Sequence, residues 1–391
     1  MRIMISCGEA SGDLYAGALA TEIRAREPSA EIVGLGGQQL KAAGASLSGD
    51  FAGLTVTGLT EALRVLPTSY LMYRRLIASA RRQRPDVFVA IDFPDFNFRL
   101  MAALRRLNIP VIYYVAPQLW AWRPQRITTM KRQVEKVLVI FPFEKELYER
   151  AGIPVQFVGH PLVDLAHAEQ ARSVFLQQHG LRTDAPTVAL LPGSRPNEIE
   201  RIAPGIIAAL PFIRARVPHV QFVVARAPNL ADALFAPFTP AAASTDKGAD
   251  GRLVVVNNQT DDVLAASDAV ITASGTATVQ ATLHERPMVV VYRVSPLTYR
   301  LGKPFLNVDT YAMPNLVAGR RIVPELIQEE FTPERTADEA VALLTDPKRH
   351  ASMREGLREV RERLGPPGAS GRAAAAVLEV ATHRSRGSTP A

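Results

Sequence analysis

The chain has 391 residues, 47% of them hydrophobic and 21% charged, with a formal net charge of +7, a balance that excludes a disordered or low-complexity protein. It exceeds the ~250 to 300 residues at which one core stops growing, so two domains are expected. A lone cysteine, Cys7, excludes an intrachain disulfide, and no run of ~18 apolar residues is available to span a bilayer.

In chain order, Arg2 to Ser6 predicts a strand, and the apolar residues ahead of Gly8 are too few for a secretory leader, so a cytoplasmic setting is expected. GEASGD, Gly8 to Asp13, predicts a tight turn before a helix from Leu14 to Arg26. It lacks the spacings of a phosphate loop, and Glu9 and Asp13 are negative where a phosphate would sit. Glu9, Ser11 and Asp13 therefore suit polar, hydroxyl-rich groups, or else serve as helix caps. Glu31 to Leu35 predicts a second strand, which opens a doubly wound α/β domain.

From Thr60 to Pro85 six arginines stand against one acid, Glu61, interleaved with Leu66, Tyr70, Leu71 and Met72. Such a segment, with Arg74 and Arg75, suits the headgroups of an anionic membrane. A helix packed on its own domain with a solvated arginine face fits equally, and Pro67 is expected to break it. No recognition motif supports nucleic acid as a partner.

DVFVAID, Asp86 to Asp92, predicts a buried strand with Asp92 at its carboxyl end, where open parallel sheets place their ligands. A carboxylate there suits general base work, although capping the helix that begins near Asn97 is the more frequent role for an isolated Asp such as Asp92 or the nearby Asp95. Trp120, Trp122, Arg123 and Arg126 concentrate in the next loop. A domain boundary is expected between Pro161 and Ala171.

The second half restarts with TVALLPGSRPNEIE, whose Arg195 is placed to neutralise a diphosphate. The stretch from Thr239 to Asp250 looks disordered. AVITASGTATVQATLHERPMVVVY, Ala269 to Tyr292, predicts strand, turn, helix and strand. The turn Ser274, Gly275, Thr276 and Ala277 offers bare backbone N–H groups at the positive end of a helix, where an anion is favoured, although Ser and Thr there also serve as ordinary caps. The last helical runs, ending near Ala381, would let the chain return to the first domain. The seven histidines are scattered without ligand spacing, so no metal site is expected. The residues read as a two-domain transferase acting across a cleft.

GEASGD at Gly8, DVFVAIDFPDFN at Asp86, WAWR at Trp120, FPFEKELY at Phe141, FVGHPLVD at Phe157, LLPGSR at Leu190, ASGTAT at Ala273 and PNLVAGR at Pro314 together resemble the lipid-A-disaccharide synthase family. The resemblance implies an α/β, GT-B fold of two doubly wound Rossmann-like domains facing a central cleft. Residues 1–165 would form the acceptor side, rejoined by a helix around 366–383, residues 166–365 would bind UDP-sugar, and 384–391 would be a disordered tail. It implies inverting transfer from UDP-2,3-diacylglucosamine to 2,3-diacylglucosamine 1-phosphate, without cofactor or metal, by an enzyme peripheral to the inner membrane. It leaves homodimer formation open. A UDP-sugar epimerase of the same fold is the alternative.

The resemblance also assigns roles. Asp92 would be the catalytic base, and Arg195 with Ser274, Gly275, Thr276 and Ala277 would receive the departing diphosphate. Asn315 would hydrogen-bond in the donor site, and Glu9, Ser11 and Asp13 would floor the cleft near the sugar. Where relatives of this fold carry a glutamate that accepts from both ribose hydroxyls, this chain has Gln280, which implies weaker ribose binding.

Overall fold

The apolar runs of the chain become the strands of two wholly parallel sheets. The computed structural model describes residues 1–51, 59–121, 123–228, 230–238, 252–296, 299–300 and 310–387, and for 59–65 and 384–387 the backbone alone. Trp122 and residues 239–251, 301–309 and 388–391 lie outside the described residues.

The first sheet contains β1 (Arg2–Ser6), β2 (Glu31–Gly36), β3 (Ser46–Asp50), β4 (Val87–Ile91), β5 (Val111–Tyr114), β6 (Lys136–Val139) and β7 (Val155–Phe157), in the order β3-β2-β1-β4-β5-β6-β7. The second contains β8 (Thr187–Leu191), β9 (Gln221–Arg226), β10 (Leu253–Asn257), β11 (Ala269–Ala273), β12 (Met288–Tyr292) and β13 (Glu325–Ile327), in the order β10-β9-β8-β11-β12-β13. In both, the chain winds outward from its first strand and then returns to lay a strand on that strand's other side. The expected pair of doubly wound domains is present.

β4, β8 and β11 are buried at every position, because helices cover both faces of a parallel sheet and leave no residue for water. Each sheet has its own apolar core, one including Met4, Phe88, Leu100 and Tyr113, the other Leu190, Ile202, Val223 and Ile271. The two compact units are Met1–Val163 with the chain from Leu364 onward, and a unit within Asp164–Arg363. Helix Ala369–Gly387 packs on helix Ala10–Arg26 and on β4 inside the first unit. Arg372 fastens it, donating to the carbonyl oxygens of Val158 at 2.8 Å, Pro367 at 2.7 Å and Pro366 at 2.6 Å.

Local propensity misjudges two helices. GEASGD is not a free turn: the helix starts at Ala10 with Glu9 as its extended N-cap, and Gly12 is buried within its first turn. Helix Leu59–Gln83 continues through Pro67, which was expected to break it. The proline removes one backbone bond at an exposed position, while Met72, Leu76 and Ala80 bury a stripe that holds the helix to the core.

Candidate active site

A doubly wound sheet opens a crevice where its strand order reverses, at the carboxyl ends of the two innermost strands. In the first sheet these are β1 and β4, which deliver Gly8-Glu9 and Asp92-Phe93 to the same edge. Asp92 and Phe93 both take left-handed backbone, φ 44° and 51°, ahead of helix Pro94–Arg105. Such residues cost roughly 1 to 3 kcal/mol each and persist only where the surroundings hold them. Here the Asp92 carbonyl accepts from the Tyr113 hydroxyl at 2.8 Å and from Nδ2 of the buried Asn97 at 2.8 Å. Phe93 lies directly over Gly8: a Cβ on Gly8 would sit 2.1 Å from the ring's Cγ, so glycine is what lets the two loops approach. Asp92 is thus a half-buried residue on a rigid turn at the sheet's mouth. Asp95, in contrast, is exposed and engaged by Arg123 at 3.1 Å and Arg126 at 2.5 Å.

Glu9 and Ser11 are half-buried at the start of helix Ala10–Arg26, on the same edge. Asp13 corrects an expectation. It is buried, and its oxygens accept from the backbone N–H groups of Gly37 at 2.7 Å, Gln39 at 2.8 Å and Leu40 at 3.1 Å. It caps helix Gln38–Ala42 from another helix, and its oxygens are committed there rather than to a sugar.

Glu144 escaped the sequence reading. It is buried at the start of helix Pro142–Arg150, where it accepts from Trp120 Nε1 at 3.3 Å and from the Phe141 N–H at 3.3 Å. Burial pushes its carboxyl up to about 8, opposed by the Trp120 and backbone hydrogen bonds, with the charge of Asp92 adding to the rise. His160 is buried between Tyr15 and Phe141, accepts at Nδ1 from the Leu162 N–H at 3.2 Å, and is held neutral, its pKa lowered to about 3 by desolvation. The signal for both was the FPFE and GHP wording itself, which does not reveal burial.

In the second sheet the innermost strands are β8 and β11, and their carboxyl ends carry Gly193-Ser194-Arg195 and Ser274-Gly275-Thr276. Gly275 has φ 151°, and a Cβ there would meet nothing within 4 Å, so the turn is open in front of the helix Thr276–Leu283. The first N–H groups of that helix, at Thr276 and Ala277, have no acceptor within the helix and point out of its end. The Ser274 hydroxyl donates to the Tyr311 carbonyl at 3.0 Å, so its proton ties the turn to the next loop. Arg195 is the N-cap of helix Pro196–Arg214; it donates to Glu198 at 3.1 Å, and Glu198 also accepts from the Ser194 N–H at 3.1 Å.

Asn315 also departs from expectation. It is 1% exposed, donates to the Val323 carbonyl at 2.9 Å and to Glu325 at 2.6 Å, and accepts from the N–H groups of Ile322 at 2.7 Å and Val323 at 2.9 Å. An amide has two donor hydrogens and two acceptor lone pairs, so the side chain is saturated and positions the loop instead of contacting a donor. Glu325 completes the arrangement by accepting from the N–H groups of Tyr311 at 2.8 Å and Ala312 at 3.1 Å. Gln280, one helical turn beyond Thr276, donates to Asp261 at 3.3 Å. Among the described residues no group of three or more His, Cys, Asp and Glu could hold a metal ion.

On helix Leu59–Gln83, Leu66, Tyr70 and Leu71 are exposed at 46, 59 and 58%, alongside exposed Arg74 and Arg75. Met72, expected on the same face, is buried at 7% and belongs to the core, because it points to nearly the opposite side of the helix from Tyr70 and about a quarter turn away from Leu71. Among the described residues no helix is long and apolar enough to cross a membrane.

A model of the lipid-A-disaccharide synthetase family matches residues 3–380. The lipid-A-disaccharide synthase of Myxococcus xanthus is 42% identical over 379 residues, covering 97% of either chain, and that of Geobacter metallireducens is 41% identical with the same coverage. Among solved structures, the UDP-GlcNAc 2-epimerase of Neisseria meningitidis bound to UDP-GlcNAc aligns with a TM-score of 0.67 at 14% identity, over 97% of this chain and 100% of that one. The glycotransferase of kitacinnamycin aligns with a TM-score of 0.62 at 18% identity, over 97% and 98%. These structures carry the fold, and the sequence relatives carry the activity: the chain belongs to the lipid-A-disaccharide synthase family, glycosyltransferases of GT-B fold that act in lipid A biosynthesis.

Proposed function

We propose that the enzyme transfers the diacylglucosaminyl group of UDP-2,3-diacylglucosamine to the 6-hydroxyl of 2,3-diacylglucosamine 1-phosphate, with inversion, giving the β-1′,6-linked disaccharide 1-phosphate and UDP. The observation that carries this reading is the pair of switch points: a carboxylate on a fixed turn in one sheet, and in the other an open helix start after β11, with Arg195 following the neighbouring strand β8. The first suits an acceptor that must lose a proton, the second a leaving group that gains charge.

In this mechanism Asp92 takes the proton of the acceptor 6-hydroxyl as its oxygen bonds to the anomeric carbon. The bond from that carbon to the diphosphate breaks on the opposite face, which inverts the configuration without a covalent intermediate. The N–H groups of Thr276 and Ala277, with Arg195, stabilise the charge that develops on UDP. Glu9 and Ser11 flank the acceptor side. The exposed Leu66, Tyr70 and Leu71 with Arg74 and Arg75 rest on the anionic cytoplasmic face of the inner membrane, where both acylated substrates reside.

The test is UDP release with and without acceptor, in wild type and Asp92→Asn. Removing a general base costs about 10²- to 10⁴-fold, so acceptor-dependent release should fall by that factor while the circular dichroism spectrum is unchanged. Donor turnover without acceptor would instead favour an epimerase of this fold.

A further inference from the structure

The helix face that leads away from the open turn ends on a carboxylate from a different helix. Thr276, Gln280 and His284 follow one another at i, i+4, so their side chains form a single row about 6 Å apart. Asp261, in the first turn of helix Thr260–Ala266, faces this row. His284 Nε2 lies 2.8 Å from its Oδ1, and Gln280 Nε2 lies 3.4 Å from Oδ1 and 3.3 Å from Oδ2. The Asp261 side chain is 23% exposed, so it is held but reachable. With its nitrogen turned to Asp261, the Gln280 amide keeps its oxygen as an acceptor.

One helical turn inside the open helix start at Thr276, the fold therefore presents two acceptors side by side, one of them charged. That is the complement of a vicinal diol, whose two hydroxyls each donate. We propose that Asp261 is a ribose-binding residue: with Gln280 it accepts from the 2′- and 3′-hydroxyls of the uridine nucleotide, and His284 fixes its orientation. The inference rests on the donor-site reading above and revises the expectation that Gln280 merely weakens the ribose contact. The charge missing at position 280 comes from the neighbouring helix. Glutamine is then the fitting residue, because a glutamate at 280 would set a second carboxylate against Asp261.

The experiment measures binding of UDP and of 2′,3′-dideoxy-UDP by calorimetry to wild type, Asp261→Asn, Gln280→Glu and the double variant Asp261→Asn/Gln280→Glu. Wild type should prefer UDP. Asp261→Asn should lose about tenfold in UDP affinity and leave dideoxy-UDP binding unchanged, a split that a merely structural role would not produce. Gln280→Glu alone should not tighten UDP binding, whereas the double variant, which moves the charge to position 280, should regain the preference. If Asp261→Asn retains the full preference for UDP, or if Gln280→Glu alone strengthens it, the role of Asp261 is refuted while the donor site stands. If wild type fails to bind UDP, the donor-site reading falls and this proposal with it. Should Asp261→Asn not fold, the Gln280→Glu result alone decides, with tighter binding refuting the proposal and unchanged or weaker binding supporting it.

Discussion

Asn315 spends its whole hydrogen-bonding capacity inside the second unit, joining the loop at Ile322 and Val323 to Glu325, which in turn holds the loop at Tyr311 and Ala312. Removing it strands the N–H groups of Ile322 and Val323 and takes one donor each from Glu325 and the Val323 carbonyl. Asn315→Ala should therefore cost about 2 to 4 kcal/mol in stability, read from urea denaturation, and activity at sub-denaturing temperature should track the folded fraction. Glu144 and His160 act on stability through pH. Between pH 4.5, the ordinary carboxyl value, and about 8 the fold keeps a proton on Glu144 that the unfolded chain has released, so raising pH through that window removes stability. For His160 the sign is opposite: between about 3 and 6.5 the unfolded chain binds a proton that the fold refuses, so stability is lost as pH falls. Denaturation midpoints from pH 5 to 9 should show wild type declining from pH 6.5 to 8, and Glu144→Gln should flatten that decline.

Helix Leu59–Gln83 has two faces with different tasks. Met72, Leu76 and Ala80 recur at i, i+4 and are buried, while Leu66, Tyr70 and Leu71 lie on the exposed side with Arg74 and Arg75. The helix is thus both packed on its own domain and provided with a free apolar and cationic strip. Leu66→Ser with Leu71→Ser should weaken co-sedimentation with anionic vesicles by tenfold or more, yet change stability by only about 0.5 kcal/mol per site. Met72→Ser should do the reverse, costing about 2 to 5 kcal/mol through the cavity it leaves. Equal vesicle binding by wild type and the double variant would restrict the helix to its packing role.

Across the molecule, both units place their candidate groups by the same topological device, a reversal of strand order beside the first strand. Much of this was legible in the sequence. Buried parallel strands read as continuous apolar runs, and the small residues after β8 and β11 read as turns, because both signals depend on neighbours a few positions away. The position of Asp92 at the end of β4 follows from the same local pattern. What the sequence left unresolved was which polar side chains are already occupied. Asp13 is bound by backbone 24 to 27 residues distant, Asp261 by Gln280 and His284 19 and 23 residues on, and Asp92's carbonyl by Tyr113, 21 residues later. The split between buried Met72 and exposed Leu71 likewise depends on which side of a helix meets the sheet. Periodicity specifies the elements and their order, but a hydrogen-bonding group is committed by whatever packing brings against it, and only the folded chain makes those encounters.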